Sequence, residues 1–198
     1  MGGLSKVGIM GGSFDPPHLA HVKIAEAALR DLNLDGVFFI PANRAPLKGF
    51  EPRASFADRL NMLKLALENF KGRATILDLE QKRGGTSYSV DTAAYLIKEY
   101  PNTKFYWIIG ADQVESLHKW KDIEKLSKMV EFACFGRPGY SLKINDNLPT
   151  SVKIHKIELE PVDASSTQIR KMLALGAKKI EFLDEKVLNY IRKNKLYI

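Results

Sequence analysis

Six short apolar runs alternate with segments of helical periodicity, and this alternation restricts the chain to very few architectures. Residues 6–11 (KVGIMG), 37–41 (VFFIP), 74–80 (ATILDLE), 104–110 (KFYWIIG), 130–136 (VEFACFG) and 152–159 (VKIHKIEL) are rich in β-branched and aromatic side chains and read as strands. Between them, residues 18–32 place Val22, Ala25, Leu29 and Leu32 at helical spacing. Residues 55–70 open with Ser55 and Asp58 in capping-box spacing and stop before Lys71-Gly72, and residues 89–100 form a third helical pattern ended by Pro101. A βαβα order predicts a parallel sheet with helices on both faces, and the all-apolar FYWII run suits a strand buried on both sides. After about residue 164 the strands stop and two helical patterns close the chain. The expected fold is α/β: a Rossmann-like doubly wound parallel sheet with a small C-terminal helical segment, residues 1–198 forming one domain.

Length and composition agree with that. A chain of 198 residues with 45% hydrophobic content can bury one substantial core. The single cysteine, Cys134, excludes an internal disulfide, and its apolar setting predicts a buried, inert thiol in preference to a nucleophile. The first ten residues are too polar for a secretory segment, and Lys6 stands where a myristoylation signal needs Ser or Thr. No apolar run approaches membrane-spanning length. A soluble, cytoplasmic protein with no membrane partner is expected.

The net charge is +7, unevenly spread: residues 164–198 hold eight Lys/Arg against three Asp/Glu, and residues 1–163 hold 22 against 20. A basic tail can touch nucleic acid. Here, however, KVLNYIRKNKLYI interleaves its basic residues with a helical apolar stripe, which reads as a solvated helix face. With no aromatic RNA-binding string and no Cys/His finger, a nucleic-acid partner is not expected. A small anionic substrate accounts for the charge equally well.

In an open α/β sheet ligands sit beyond the carboxyl ends of the strands. Four post-strand loops are therefore of interest: residues 11–21, 41–48, 110–120 and 160–170. In the first, Gly11 and Gly12 let a ligand approach the backbone, and Pro16 and Pro17 set the entry to a helix. His18 and His21, three apart, share one face of its first turn, where a helix N-terminus attracts phosphate. A zinc pair lacks further ligands at suitable spacing, since the other histidines are His118 and His155. A purely structural role is the remaining alternative. In the last loop, Ser165, Ser166 and Thr167 offer hydroxyls at a helix start, with Arg170 one turn on, a chemistry suited to gripping phosphate.

Two of these stretches carry a resemblance. GGSFDPPHLAH (residues 11–21) resembles the HxGH signature of the nucleotidyltransferase superfamily, and SSTQIR (165–170) resembles its ISSTxxR motif. The middle of the chain is similar to bacterial nicotinate mononucleotide adenylyltransferases in PANRAPLK (41–48), GGTSYSVDTAAYL (84–96), the IIGAD…W pattern of residues 108–120, and GRPGY (136–140). Ala20 departs from the usual glycine of the histidine signature, narrowing the approach to that helix turn, and NRAPLK replaces a more usual Pro-Pro-His-Lys run.

The resemblance implies adenylyl transfer from ATP to nicotinate mononucleotide, with magnesium carried mainly by the ATP phosphates. It implies catalytic roles for His18, His21 and Arg170. The backbone of Gly11, Gly12, Ser13 and Phe14 would lie near both nucleotides, and Gly110, Asp112, Ser165, Ser166 and Thr167 near ATP. For the mononucleotide it implies Trp120 stacked on the pyridine ring, backbone N–H groups near Thr86 and Lys121 on the carboxylate, Asp112 on ribose, and Lys48 and Arg137 on phosphate, with Asn43 a further candidate. Read from the residues alone, Trp120 packs in the core, Asp112 caps a helix, and Lys48 and Arg137 are solvated charges. Three functions compete: this enzyme; a relative acting on nicotinamide mononucleotide, phosphopantetheine or another acceptor; and a non-catalytic nucleotide or RNA binder. A homo-oligomer is compatible with all three. A class I aminoacyl-tRNA synthetase uses a similar histidine motif but needs a longer chain.

Overall fold

The computed structural model describes residues 4–44, 51–136, 145–160 and 164–197. Six strands form one wholly parallel sheet: β1 (Lys6–Gly12), β2 (Gly36–Pro41), β3 (Ala74–Ile76), β4 (Lys104–Gly110), β5 (Glu131–Phe135) and β6 (Ile154–Ile157). Their spatial order is β3-β2-β1-β4-β5-β6. The order reverses direction between β1 and β4, and at such a switch point the loops leave a crevice above the strands' carboxyl ends. The expected doubly wound sheet is present.

Period-two alternation assigns each strand residue to a face. Val7, Ile9, Phe38, Ile40, Phe105, Trp107 and Ile109 enter one core with the helices α4 (Ser89–Glu99), α5 (Ala111–Ser116) and α6 (Ile123–Met129). Met10, Val37, Phe39, Tyr106 and Ile108 enter the opposite core with α1 (Leu19–Asp31) and part of α2 (Phe56–Ala66). A third apolar cluster joins Met62 of α2 to α7 (Ser166–Ala174) and α8 (Glu185–Lys193) through Ile169, Leu173, Val187 and Ile191. The C-terminal helices thus lie against the first half of the chain.

The start signals act as expected where a side chain caps. Ser55 Oγ accepts from the Asp58 N–H at 3.1 Å and Ser165 Oγ from the Gln168 N–H at 3.2 Å. One expectation is corrected. Residues 74–80 are not all strand: β3 ends at Ile76, and Leu79–Arg83 form a short helix, α3. Pro16 and Pro17 lead into α1 directly before its N-cap, His18. Among the described residues no helix is long and apolar enough to cross a membrane.

Cys134 is buried on β5, as its apolar setting predicted. Burial, reinforced by the charge of Asp112, pushes its thiol up to about 11. We expect the native protein at pH 8 to resist alkylation by iodoacetamide and to react once unfolded, as followed by mass spectrometry. Because the folded thiol titrates above the unfolded one, its contribution to stability is complete below the ordinary thiol range. It declines as pH rises through that range toward about 11, which urea titrations across this window would register.

Candidate active site

Above the carboxyl ends of the strands lies a cleft of two lobes. The first, about 450 Å³, is bounded by the loop after β1, the first turns of α1, α5 and α7, and Leu159 beyond β6. The second, about 390 Å³, is bounded by Ala42 beyond β2, Ser87 and Tyr88 before α4, and Lys119–Lys121. Gly11, Gly12, Ser13, Gln113 and Trp120 line both, so the lobes meet over the end of β1. All four loops singled out by position contribute described residues to this cleft.

His18 and His21 stand in the first lobe with ring centroids 3.9 Å apart. The backbone N–H of His18 donates to His21 Nδ1 at 3.2 Å, which leaves the proton of neutral His21 on Nε2. Phe14 supports this pair: its ring, almost wholly buried, meets the His21 ring edge-on at 5.0 Å and also packs near Phe39. To place that ring inward the backbone of Phe14 adopts φ = 48°, a left-handed conformation costing a bulky residue about 1–2 kcal/mol. Phe14 therefore serves the cleft through its backbone, and through the histidine it props. Gly11 needs its missing side chain for neither packing nor backbone conformation: a Cβ there would meet nothing nearer than Trp107 at 3.7 Å. Its effect is to leave the floor of both lobes open.

Arg170 reaches the same lobe from α7. One guanidinium nitrogen donates to the Asp15 carbonyl at 2.7 Å and lies 3.8 Å from the Asp15 carboxylate, while the other donates to Thr167 Oγ1 at 3.2 Å. Ser166 Oγ donates to the Pro16 carbonyl at 2.9 Å, pinning the start of α7 to the histidine loop. The hydroxyls of Ser166 and Thr167 are thus used within the protein, and the Ser165–Thr167 turn lines the lobe beside them. Asp112, half-buried in the first turn of α5, lines the lobe from the opposite side, and Ala20 closes the space near the histidines.

In the second lobe Trp120 is half-buried. It packs edge-on against Trp107 at 6.3 Å and Phe132 at 6.5 Å while facing the junction of both lobes. The packing role read from the residues and a ligand-facing position coexist. Lys121 Nζ sits 4.2 Å over the Tyr88 ring and 3.9 Å from Asp91. Asn43 donates from its side chain to the Gly85 carbonyl and from its backbone to Ser87 Oγ, so it braces the lobe without lining it. Thr86 lies next to the lining residue Ser87, and Gly110 caps α5, its N–H donating to Gln113 Oε1 at 3.1 Å. Lys48 and Arg137 lie outside the described residues.

Several residues of the site carry no local sequence signal. Asp15, 3% exposed, accepts hydrogen bonds from the N–H groups of Arg53 (2.8 Å) and Ala54 (3.0 Å) and from the Tyr197 hydroxyl (2.7 Å). Arg59, 2% exposed, donates to the carbonyls of Ser13 (2.7 Å) and Ala42 (3.0 Å), tying the loop after β1 to the end of β2. Burial pulls its pKa down while the charge of Asp15 resists. Glu80, buried at the edge of the second lobe, accepts from Thr92 Oγ1 at 2.7 Å, and burial pushes its carboxyl up.

Comparison with known proteins bears on the family and the fold. Residues 9–172 match the family model described as cytidylyltransferase-like. A protein of Listeria welshimeri is 43% identical over 192 residues, covering 97% of each chain. One of Bacillus cytotoxicus is 41% identical over 194 residues, covering 98% of this chain and 99% of its own. Both bear the name "Probable nicotinate-nucleotide adenylyltransferase". Among solved structures, the Plasmodium falciparum nicotinic acid mononucleotide adenylyltransferase complexed with NaAD shares the fold at a TM-score of 0.79 and 24% identity, covering 98% of this chain and 97% of that one. With a family model spanning most of its length and relatives above 40% identity end to end, the chain belongs to the cytidylyltransferase-like family and, within it, to the nicotinate-nucleotide adenylyltransferases.

Proposed function

We propose that the chain transfers the adenylyl group of ATP to nicotinate mononucleotide, giving deamido-NAD (nicotinate adenine dinucleotide) and pyrophosphate, a step of NAD biosynthesis. The observation that supports this most is the meeting of both chain ends in one lobe: His18 and His21 from the start, Arg170 and the Ser165–Thr167 turn from the end. In this reading ATP occupies the first lobe and the mononucleotide the second, with the α-phosphorus over Gly11–Ser13 where the lobes join.

An oxygen of the mononucleotide's 5′-phosphate attacks the α-phosphorus, a new P–O bond forms, and the bond to the departing pyrophosphate breaks in line. No side chain becomes covalent. The protein's work is alignment and stabilisation of charge on the transferring oxygens. Two imidazolium ions 3.9 Å apart would repel by roughly 4 kcal/mol at the effective dielectric of a protein surface. An anion between them would offset that repulsion, so the pair's two donors are directed most strongly at the reacting phosphates. His21 Nε2–H and His18 donate toward that charge, while Arg170 and the start of α7 hold the outer phosphates.

Among the described residues no group of three or more His, Cys, Asp or Glu could hold a metal ion. Asp15, at the first lobe, is committed to three protein donors. This donor set suits Mg²⁺ entering on the ATP phosphates and keeping most of its waters, where it neutralises charge on the leaving group. In the second lobe Trp120 offers a flat face to the pyridine ring, and Lys119 and Lys121 supply positive potential that favours a ring carboxylate over a carboxamide. An acceptor without a ring, such as phosphopantetheine, gains nothing from that face.

Pyrophosphate release measured with ATP and each mononucleotide separately should show a clear preference for the nicotinate form; equal kcat/KM for the nicotinamide form refutes the acceptor assignment. His18→Ala should lower kcat by about 100-fold or more while the Kd of ATP changes little, a split read by single-turnover kinetics and calorimetry. Normal turnover in this variant makes the histidine structural. Trp120→Ala should raise KM for the mononucleotide by about ten-fold, leaving ATP affinity near its original value.

A further inference from the structure

Tyr197, beyond the last helix, reaches Asp15, a residue that lines the first lobe. After α8 the backbone turns sharply: the Leu196 N–H donates to the Ile191 carbonyl at 2.9 Å, and Lys195 and Tyr197 adopt φ of 50° and 65°. Left-handed conformations at two non-glycine residues persist only where the surroundings hold them. Lys195 is held by the turn that closes α8, its own N–H donating to the Arg192 carbonyl at 3.1 Å; Tyr197 is anchored by its hydroxyl, which donates to Asp15 Oδ1 at 2.7 Å. The same carboxylate takes the Arg53 and Ala54 N–H groups and stands 3.8 Å from the Arg170 guanidinium, whose shorter bond goes to the Asp15 carbonyl.

We infer that Tyr197 is a positioning residue: its hydroxyl fixes the Asp15 carboxylate, and through it the guanidinium of Arg170 that faces the phosphates. The inference rests on the role of Arg170 given above. Without the hydroxyl the carboxylate keeps only the Arg53 and Ala54 N–H groups, and its hold against the pull of the Arg170 charge 3.8 Å away is weakened. A guanidinium captured by its neighbour is withdrawn from a ligand. Tyr197 is well placed to prevent this, because burial, then its bond to Asp15, pushes its titration far above neutrality, so it remains a donor throughout the working pH range. A second tie, the Leu19 N–H to the Phe182 carbonyl at 2.9 Å, joins the same two regions independently, so loss of the hydroxyl leaves the tail attached.

The test is a double-mutant cycle on Tyr197→Phe and Arg170→Lys, measured as kcat and KM with ATP and nicotinate mononucleotide, with thermal unfolding of each protein. Tyr197→Phe retains the ring and removes one hydrogen bond. We expect kcat to fall about ten-fold with KM for the mononucleotide within about two-fold and an unfolding temperature within a few degrees of the parent. In the Arg170→Lys background, where the planar fork is already lost, the second substitution should cost no further turnover. An unchanged kcat in Tyr197→Phe, an equal loss in both backgrounds, or a loss explained by unfolding overturns the inference, as does full turnover in Arg170→Lys. Turnover only with a different acceptor would refute the proposed substrate and leave the cycle readable on that acceptor.

Discussion

A carboxylate taken out of water must be met by donors, and the way Asp15 is met organises this molecule. Its acceptors are satisfied by the N–H groups that lead into α2 and by a hydroxyl 182 residues further along the chain, while its own carbonyl accepts from Arg170 on α7. The donors come from segments distant in the chain, the start of α2 and the C-terminal region, which meet in one apolar cluster. The histidine loop, the start of α2 and the C-terminal helices are thereby fixed relative to one another at one point. Arg59 performs the complementary task a few ångströms of backbone away, joining the carbonyls of Ser13 and Ala42 so that the ends of β1 and β2 move as one. Removal of either charge would strand its own partners in a buried setting, so both sites resist substitution for reasons separate from catalysis.

Much of the architecture was legible because its signals are local. Apolar runs such as FYWII mark buried parallel strands; Ser55 and Ser165 mark helix starts; Pro101 marks a stop. The histidine loop and the SSTQIR turn were picked out by their residues together with the resemblance they carry, and the fold brings both to one lobe. Where reading failed, the deciding forces are tertiary. Leu79 and Glu80 look like the end of a strand, yet Glu80 is drawn into a helix by partners at Ser87 and Thr92. The short helices α5 and α6 lack a long periodic face. Asp15, Arg59 and Tyr197 are ordinary polar residues in sequence, and only the closure of segments separated by 17 to 182 positions makes them a network.

The second lobe shows how such closure builds a recognition surface from weak parts. Gly84 and Gly85 take φ of 71° and 68°, a turn that a side chain would strain, and deliver Ser87 and Tyr88 to the lobe. Asn43 then holds that turn to the end of β2 from two sides, through the Gly85 carbonyl and Ser87 Oγ. Ser87 passes the connection to Glu80, which also receives Thr92, itself bonded by Arg83 at 3.2 Å. The relay runs from sheet to loop to α4 without a break. A carboxylate in the wall of the lobe would by itself repel an acidic ligand. Its charge, however, is spent on hydroxyls and on Arg83, while the lysines stand at the mouth. The wall of the second lobe thus sets Lys119 and Lys121 beside a carboxylate whose acceptors the protein already fills.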